Sequence, residues 1–255
     1  MNARAAPDLL LGILPIALIL GLWQALTSFG MAPPALLPPP MAVFRRLVEQ
    51  FGNPIFLQHT VTTLFRLFAG FTIACVVGIT LGLMASSSRI AESAIRPIVR
   101  VLAPVPKIAL YPAFILILGF DHASKIALVA ADALFPILLA TYQGAVSVEP
   151  KLLWSALAAG TTRRKALFTV VLRAALPSVL TGCRIGLVIS CIVVFLAEMI
   201  SSTDGLGHLL VYASRSFETV DMFVPLITIS LLGLTLNAGF NSLRRRLLAG
   251  YPEAE

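Results

Sequence analysis

From Leu9 to Phe29 the chain carries no charged side chain, and five further stretches of similar length carry at most two each. A helix needs about 20 mainly apolar residues to cross the hydrocarbon core of a bilayer, because every backbone polar group in lipid must find its partner within the segment. The stretches fall at about 9–29, 60–85, 101–120, 124–142, 174–200 and 222–243. Charged residues make up 12% of the chain against 58% hydrophobic, where a soluble domain carries about 25% charged. Too little charge remains to cover a water-facing surface. The expected fold is therefore all-α: a polytopic transmembrane helical bundle of six spans forming one domain over residues 1–255. The first stretch exceeds the roughly 7–15 apolar residues of a secretory signal, so it is expected to remain as a membrane helix.

Orientation follows from where the basic residues collect, since Lys and Arg mark cytoplasmic loops. With the N-terminus inside, Arg4, Arg89, Arg96, Arg100, Lys151, Arg163 to Lys165, Arg173 and Arg244 to Arg246 share one side. The other side holds Arg45, Arg46, Lys125 and Arg215, diluted by acidic neighbours. Both termini and the Glu149–Arg173 loop are thus expected in the cytoplasm. The net charge of +7 belongs to this bias. No basic cluster interleaved with aromatics forms a soluble module, which argues against a nucleic-acid partner. No Cys or His spacing suits a metal. Cys75, Cys183 and Cys191 lie in apolar runs and read as small buried hydrophobes.

Several segments have a readable local role. Five prolines between Met31 and Pro40 keep that stretch out of the hydrocarbon. Val43, Phe44, Leu47 and Val48, set against Arg45, Arg46, Glu49 and Gln50, suggest a helix lying at the membrane surface. In the second span Gly70, Ala74, Gly78, Gly82 and Ser86 recur every fourth residue, and in the fifth Ser178, Gly182, Gly186 and Ser190. Such stripes let a neighbouring helix approach closely. Pro104, Pro106 and Pro112 predict a kink in the third span.

The Glu149–Arg173 loop is unlike a simple connector. Pro150 suits a helix start and Gly160 its stop, which predicts a short cytoplasmic helix over about 150–165. That helix exposes Leu152, Leu153 and Trp154, and an exposed apolar helix is a docking surface for another protein.

This loop resembles the one shared by the membrane subunits of bacterial ABC-type importers, whose signature runs EAA, three residues, Gly, nine residues, then I-x-L-P. Here the frame falls on Trp154-Ser155-Ala156, Gly160 and Val170-Val171-Leu172-Arg173. Ala156, Gly160 and Leu172 match, while Trp154, Ser155 and Arg173 replace the signature's Glu, first Ala and Pro. Beyond the loop, the chain is similar to the nitrate/sulfonate/taurine group of these permeases. The likeness lies in Pro104 to Pro112, Ala123 to Ile126, Phe135 to Leu138, Ala174 to Ile185, Ala197 to Met199 and Gly205 to Gly207. It covers about Leu9 to Leu248.

The resemblance implies a permease subunit in a bacterial inner membrane, paired with a second permease copy to form the pathway for a small anionic solute. A periplasmic or lipid-anchored binding protein would deliver the solute, and a separate ATPase, binding ATP and Mg, would drive transport. Leu152, Leu153, Trp154, Ser155, Ala156, Gly160, Thr161, Arg163 and Arg164 would then couple to the ATPase. No GxxxxGK[ST] loop occurs in this chain, so nucleotide hydrolysis is expected in the partner.

Charges at membrane depth are costly, about 2.5–3.5 kcal/mol each on insertion scales, and face a cavity or a partner. Lys107, Asp132, Arg184 and Glu198 are the candidates, either along the translocation path or as structural ion pairs. Arg66 is expected to snorkel to the headgroups. Two other functions are weighed against the importer. A gradient-driven secondary transporter or channel would show repeats and matching broken helices. An intramembrane enzyme would need a nucleophile and base, or a metal cluster, at depth. Neither pattern appears in the sequence.

Overall fold

The computed structural model describes residues 5–33 and 35–251, with side chains from residue 14 onward. Every regular element among them is helical. Along the chain these are α1 (Ala5–Ser28), α2 (Pro40–Gln50), α3 (Pro54–Ser87), α4 (Arg89–Leu102), α5 (Tyr111–Leu118) and α6 (His122–Val146). They continue with α7 (Pro150–Ala158), α8 (Arg163–Ala166), α9 (Leu172–Ala174), α10 (Leu176–Ser201), α11 (Leu206–Arg215) and α12 (Thr219–Leu247). A 3-10 turn over Lys107–Leu110 leads into α5, and a π-turn over Leu167–Val171 joins α8 to α9.

Helix α6 is the spine, held between α3 and α10 by their small-residue stripes. A Cβ added at Gly70 would come within 2.7 Å of Val129, and one at Gly182 within 2.6 Å of Ala140. The stripes therefore let backbones touch α6 directly, as in other close membrane-helix pairs. Ile137 of α6 packs with Ala74 of α3 and with Val179 and Cys183 of α10 in one buried cluster. A second cluster joins Leu67, Leu128, Val129, Leu187 and Val194. Away from these seams the helices present apolar side chains outward, among them Ile73, Val76, Ile192 and Leu234, as a lipid-facing surface requires.

Four helices, α3, α6, α10 and α12, are long and apolar enough to cross a membrane. They contain the stretches expected at 60–85, 124–142 and 222–243 and nearly all of that at 174–200. The span expected over 101–120 is not one helix. Helix α4 and the Lys107–Leu118 segment meet at an 86° bend, and together they form at most a fifth, broken span. Pro104 and Pro106 explain the break. Each lacks an N–H and forces its predecessor out of helical geometry. The stretch expected over 9–29 lies within α1, 24 residues long, except for Phe29, and its side chains before residue 14 fall outside the described residues. Arg89, Arg96 and Arg100, expected on the cytoplasmic side, lie on α4.

Two more elements depart from expectation. Helix α2 buries Val43 completely and Leu47 almost so, while Phe44 and Val48 stay exposed. Leu47 joins Phe56, Phe195, Leu206 and Val224 in a cluster at the end of the bundle, so the helix is clamped to protein on one side and free on the other. The polar segment after α10 hides α11, which is packed into that same cluster through Leu206.

Candidate functional site

The short helix expected in the Glu149–Arg173 loop is present as α7. Pro150 occupies its first turn, where a missing N–H costs nothing. It ends earlier than the expected 150–165. Gly160 has a φ of +82°; its N–H donates to Leu157 O at 3.0 Å, and the Thr161 N–H donates to Ala156 O at 3.0 Å. This is the Schellman arrangement, which closes a helix on a left-handed residue that glycine adopts without strain. Arg163 and Arg164 consequently lie on the separate helix α8, whose N-terminus the Thr162 hydroxyl caps by accepting from Lys165 N–H.

No residue of α7 is fully buried. Leu153 and Ala156, three apart and on one face, turn toward the bundle; Leu153 packs on the cluster containing Val171 and Ala175. Leu152, Trp154 and Leu157 point outward, with Trp154 66% exposed, and Ser155 is exposed beside them. One apolar face anchors the helix and the other is left open. Behind it a groove of about 560 Å³ is lined by Ser86, Ser88, Glu149, Leu153, Arg163 and Arg164. Thr161 is half-buried at the turn.

The four charges expected at membrane depth do not form one group. Lys107 and Asp132 pair across the bend, Nζ to Oδ1 at 3.6 Å. The ammonium also donates to Ala103 O at 2.8 Å, at a carbonyl left without its helical partner by the break, and lies 4.4 Å from the centroid of the Phe135 ring. Arg184 donates to Asn237 Oδ1 at 2.9 Å, linking α10 to α12. Glu198 meets neither of these cations.

Its partner is Arg66, and the expectation that Arg66 snorkels is overturned. The Arg66 side chain is 2% exposed and that of Glu198 is 0%. The guanidinium donates to Glu198 Oε1 at 2.8 Å, to His122 Nδ1 at 3.0 Å and to Asp204 O at 3.2 Å, and it pairs with the Asp204 carboxylate as well. Glu198 Oε2 accepts from the Thr63 hydroxyl at 2.9 Å and from Gly207 N–H at 3.1 Å. Thr63 Oγ1 accepts from Leu206 N–H at 2.9 Å, and His59 Nδ1 from Gly205 N–H at 2.8 Å. The first backbone donors of α11, which have no helical partner of their own, are thus satisfied by side chains from α3 and α10. Gly205 and Gly207 leave room for this, since a Cβ at Gly205 would overlap the Glu198 carboxylate and one at Gly207 would overlap Phe195 O. Burial raises the Asp204 carboxyl, but Arg66 outweighs it and holds the group below the usual range.

A sequence signal for this cluster existed. Arg66 lies four residues before Gly70, and Glu198 eight after Ser190, so each continues the small-residue stripe of its own helix. Both were on the packed face from the start. Among the described residues no group of three or more His, Cys, Asp or Glu side chains could hold a metal ion.

The comparisons with known proteins agree on what this architecture belongs to. Residues 74–250 match the family model described as "Binding-protein-dependent transport system inner membrane component". The chain is 30% identical over 93% of its length to the putative aliphatic sulfonates transport permease protein SsuC of Bacillus subtilis, covering 86% of that protein. It is 29% identical over 96% of its length to the taurine transport system permease protein TauC of Escherichia coli, covering 91% of it. In fold it is similar to a chain of the MetNI methionine ABC transporter solved in inward-facing conformations, with a TM-score of 0.68 at 17% identity over 76% of this chain and 96% of that one. The π-turn, the bent α4–α5 pair and the gripped α6 therefore sit in a transport protein and not in an intramembrane enzyme. This chain belongs to the family of binding-protein-dependent transport system inner membrane components, as an ABC importer permease of the sulfonate and taurine type.

Proposed function

We propose that this chain, as one of a pair of identical subunits, lines the path of a small anionic solute across a bacterial inner membrane and takes its driving force from a separate ATPase through α7. The observation that carries the proposal is the two-faced character of α7. Leu153 fixes the helix to the bundle, and Leu152, Trp154 and Leu157 are left uncovered. Uncovered apolar side chains on a helix at a water-facing loop are stabilised by a protein groove. Ser155, Ala156, Gly160 and Thr161 set the shape of that contact, and Arg163 and Arg164 add charge to its edge. ATP and Mg are bound by the partner, and this chain supplies no cofactor site. A periplasmic or lipid-anchored binding protein brings the solute to the opposite face.

Within the membrane the chain runs six times across, counting α1 and the bent α4–α5 pair as spans, with both ends cytoplasmic. Membrane lipids cover the outward apolar faces. Lys107 and Arg184 are the cations suited to guide an anion, Lys107 through the contact with Asp132 and Arg184 through that with Asn237, which a solute can displace. Asp132 balances Lys107 between passages. Glu198 has a structural role with Arg66. The relatives named for taurine and for aliphatic sulfonates make a sulfonate the first solute to test.

The test uses vesicles from cells expressing the chain with its neighbouring ATPase and binding protein, offered radiolabelled taurine or a short alkanesulfonate. Uptake should require ATP and survive an uncoupler. Leu157→Asp, on the open face of α7, should reduce uptake at least tenfold and release the ATPase from the purified complex, with the chain still inserted. Uptake abolished by the uncoupler alone would point to a gradient-driven transporter. Unchanged uptake and ATPase retention in Leu157→Asp would end the assignment of α7.

A further inference from the structure

All three cysteines are free thiols, and they are not equivalent. Cys75 Sγ and Cys183 Sγ lie 3.8 Å apart, across 108 residues of chain. Cys191 is eight positions beyond Cys183 on α10, about 12 Å along the helix, and is buried by itself. The contact follows from the packing of the bundle. Cys75 directly follows Ala74 of the α3 stripe, and Cys183 directly follows Gly182 of the α10 stripe. Both stripes press on α6, so the next residue round each helix is brought to the seam where α3 and α10 meet. Phe71, Ile79, Ile137 and Val179 belong to the same apolar cluster as the two cysteines. Cys183 is buried and Cys75 half-buried, so Cys75 is the sulfur that a reagent dissolved in the lipid phase meets first.

We propose that Cys75 and Cys183 are a redox-active thiol pair, which a lipid-soluble two-electron oxidant converts to a disulfide that fastens α3 to α10. With molecular iodine, an apolar oxidant of this class, the Cys75 sulfur displaces iodide from iodine to give a sulfenyl iodide, and its proton leaves. The Cys183 sulfur attacks that sulfur, expels the second iodide and loses its own proton. Two S–H bonds and the I–I bond are broken and one S–S bond is formed. The thiols lose two electrons, which reduce iodine to two iodide ions. Contact between the sulfurs makes the second step effectively unimolecular, which compensates for the burial that leaves isolated thiols such as Cys191 inert. Dithiothreitol reverses the bridge by exchange.

Pair formation stands apart from the importer function; its effect on transport rests on that function. Purified chain in lipid nanodiscs is treated with iodine, then denatured, and its thiols are titrated. Titratable thiols should fall from three to one in the monomeric chain, and a peptide linking Cys75 to Cys183 should appear on digestion. C191S should still form the bridge, and C75S and C183S should not. Retention of all three thiols, a bridge to Cys191, or a link only between two chains would overturn the pair. In transporting vesicles, iodine should abolish uptake by C191S and dithiothreitol restore it, with uptake by C183S unaffected. Full uptake by chains shown to carry the bridge would overturn the effect on transport while leaving the thiol pair standing. Absence of ATP-driven uptake before any oxidation would refute the importer assignment while leaving the thiol pair standing.

Discussion

At the scale of single residues, Arg66 and Glu198 show how charge is made tolerable inside an apolar bundle. A buried ion pair is often no more stabilising than a hydrophobic pair, but removing one partner strands the other. Arg66 has four side-chain partners, in Glu198, Asp204, His122 and Ser202, so nearly every guanidinium donor is used. Glu198→Ala deletes the partner at the centre of this set and also frees Gly207 N–H and the Thr63 hydroxyl. It should cost about 3–5 kcal/mol, read as a lower unfolding temperature of the purified chain in detergent. Replacing both partners, Arg66→Leu with Glu198→Leu, should recover part of that loss, because the one carboxylate left without its cation, Asp204, is partly exposed to water. Equal losses in the single and double variants would show that the hydrogen bonds to α11, and not the charge pair, carry the stability.

At the scale of elements, the sequence disclosed what is local and concealed what is made by distant contacts. Apolar runs, the Pro150 start and Gly160 stop of α7, and both small-residue stripes were visible because each depends on neighbours within a few turns. The Arg66–Glu198 pair joins positions 132 residues apart; the stripes place each charge on a packed face, but no local pattern says that the two meet. Helix α11 was hidden for a related reason. Its first backbone donors are accepted by His59, Thr63 and Glu198, residues far away along the chain that no local pattern connects to its start. The expected range of α7 ran past its own Gly160 stop to 165, because Arg163 to Lys165 were counted with it, whereas Thr162 caps a separate helix that holds all three. The stripes make a sharp prediction at this scale. Gly182→Ala introduces a Cβ within 2.6 Å of Ala140 and 3.0 Å of the Pro136 carbonyl, and such overpacking costs about 1–3 kcal/mol. Gly239→Ala on α12 meets nothing within 4 Å and should be neutral or gain up to about 1 kcal/mol from helix propensity. Thermal unfolding of the two variants in one detergent checks this, and comparable losses would mean that α6 is not the tightly gripped spine.

At the scale of the whole molecule, the two ends of the bundle differ in chemistry. One end carries α7, Arg163, Arg164 and the Arg244 to Arg246 run that closes α12. Basic side chains at a helix C-terminus complement its dipole, so this run suits the end of the helix. The other end carries α2, α11 and the turn between α11 and α12. There Arg46 pairs with Asp221 at 2.7 Å, and Tyr212 and Phe217 are among the most exposed aromatics of the chain. Tyr and Trp favour the membrane–water boundary and basic residues the cytoplasmic side, and the proposed orientation puts the α7 end in the cytoplasm. Leu152→Cys and Tyr212→Cys, each in a chain whose own three cysteines are serine, place one reporter at each end. A membrane-impermeant maleimide should label Leu152→Cys only in inverted vesicles and Tyr212→Cys only in intact spheroplasts. Labelling of both from the same side would require an even number of crossings, or none, between α7 and α11. A single span, α10, lies between them, so the two reporters can share a side only if α10 enters and leaves by the same face or does not cross at all.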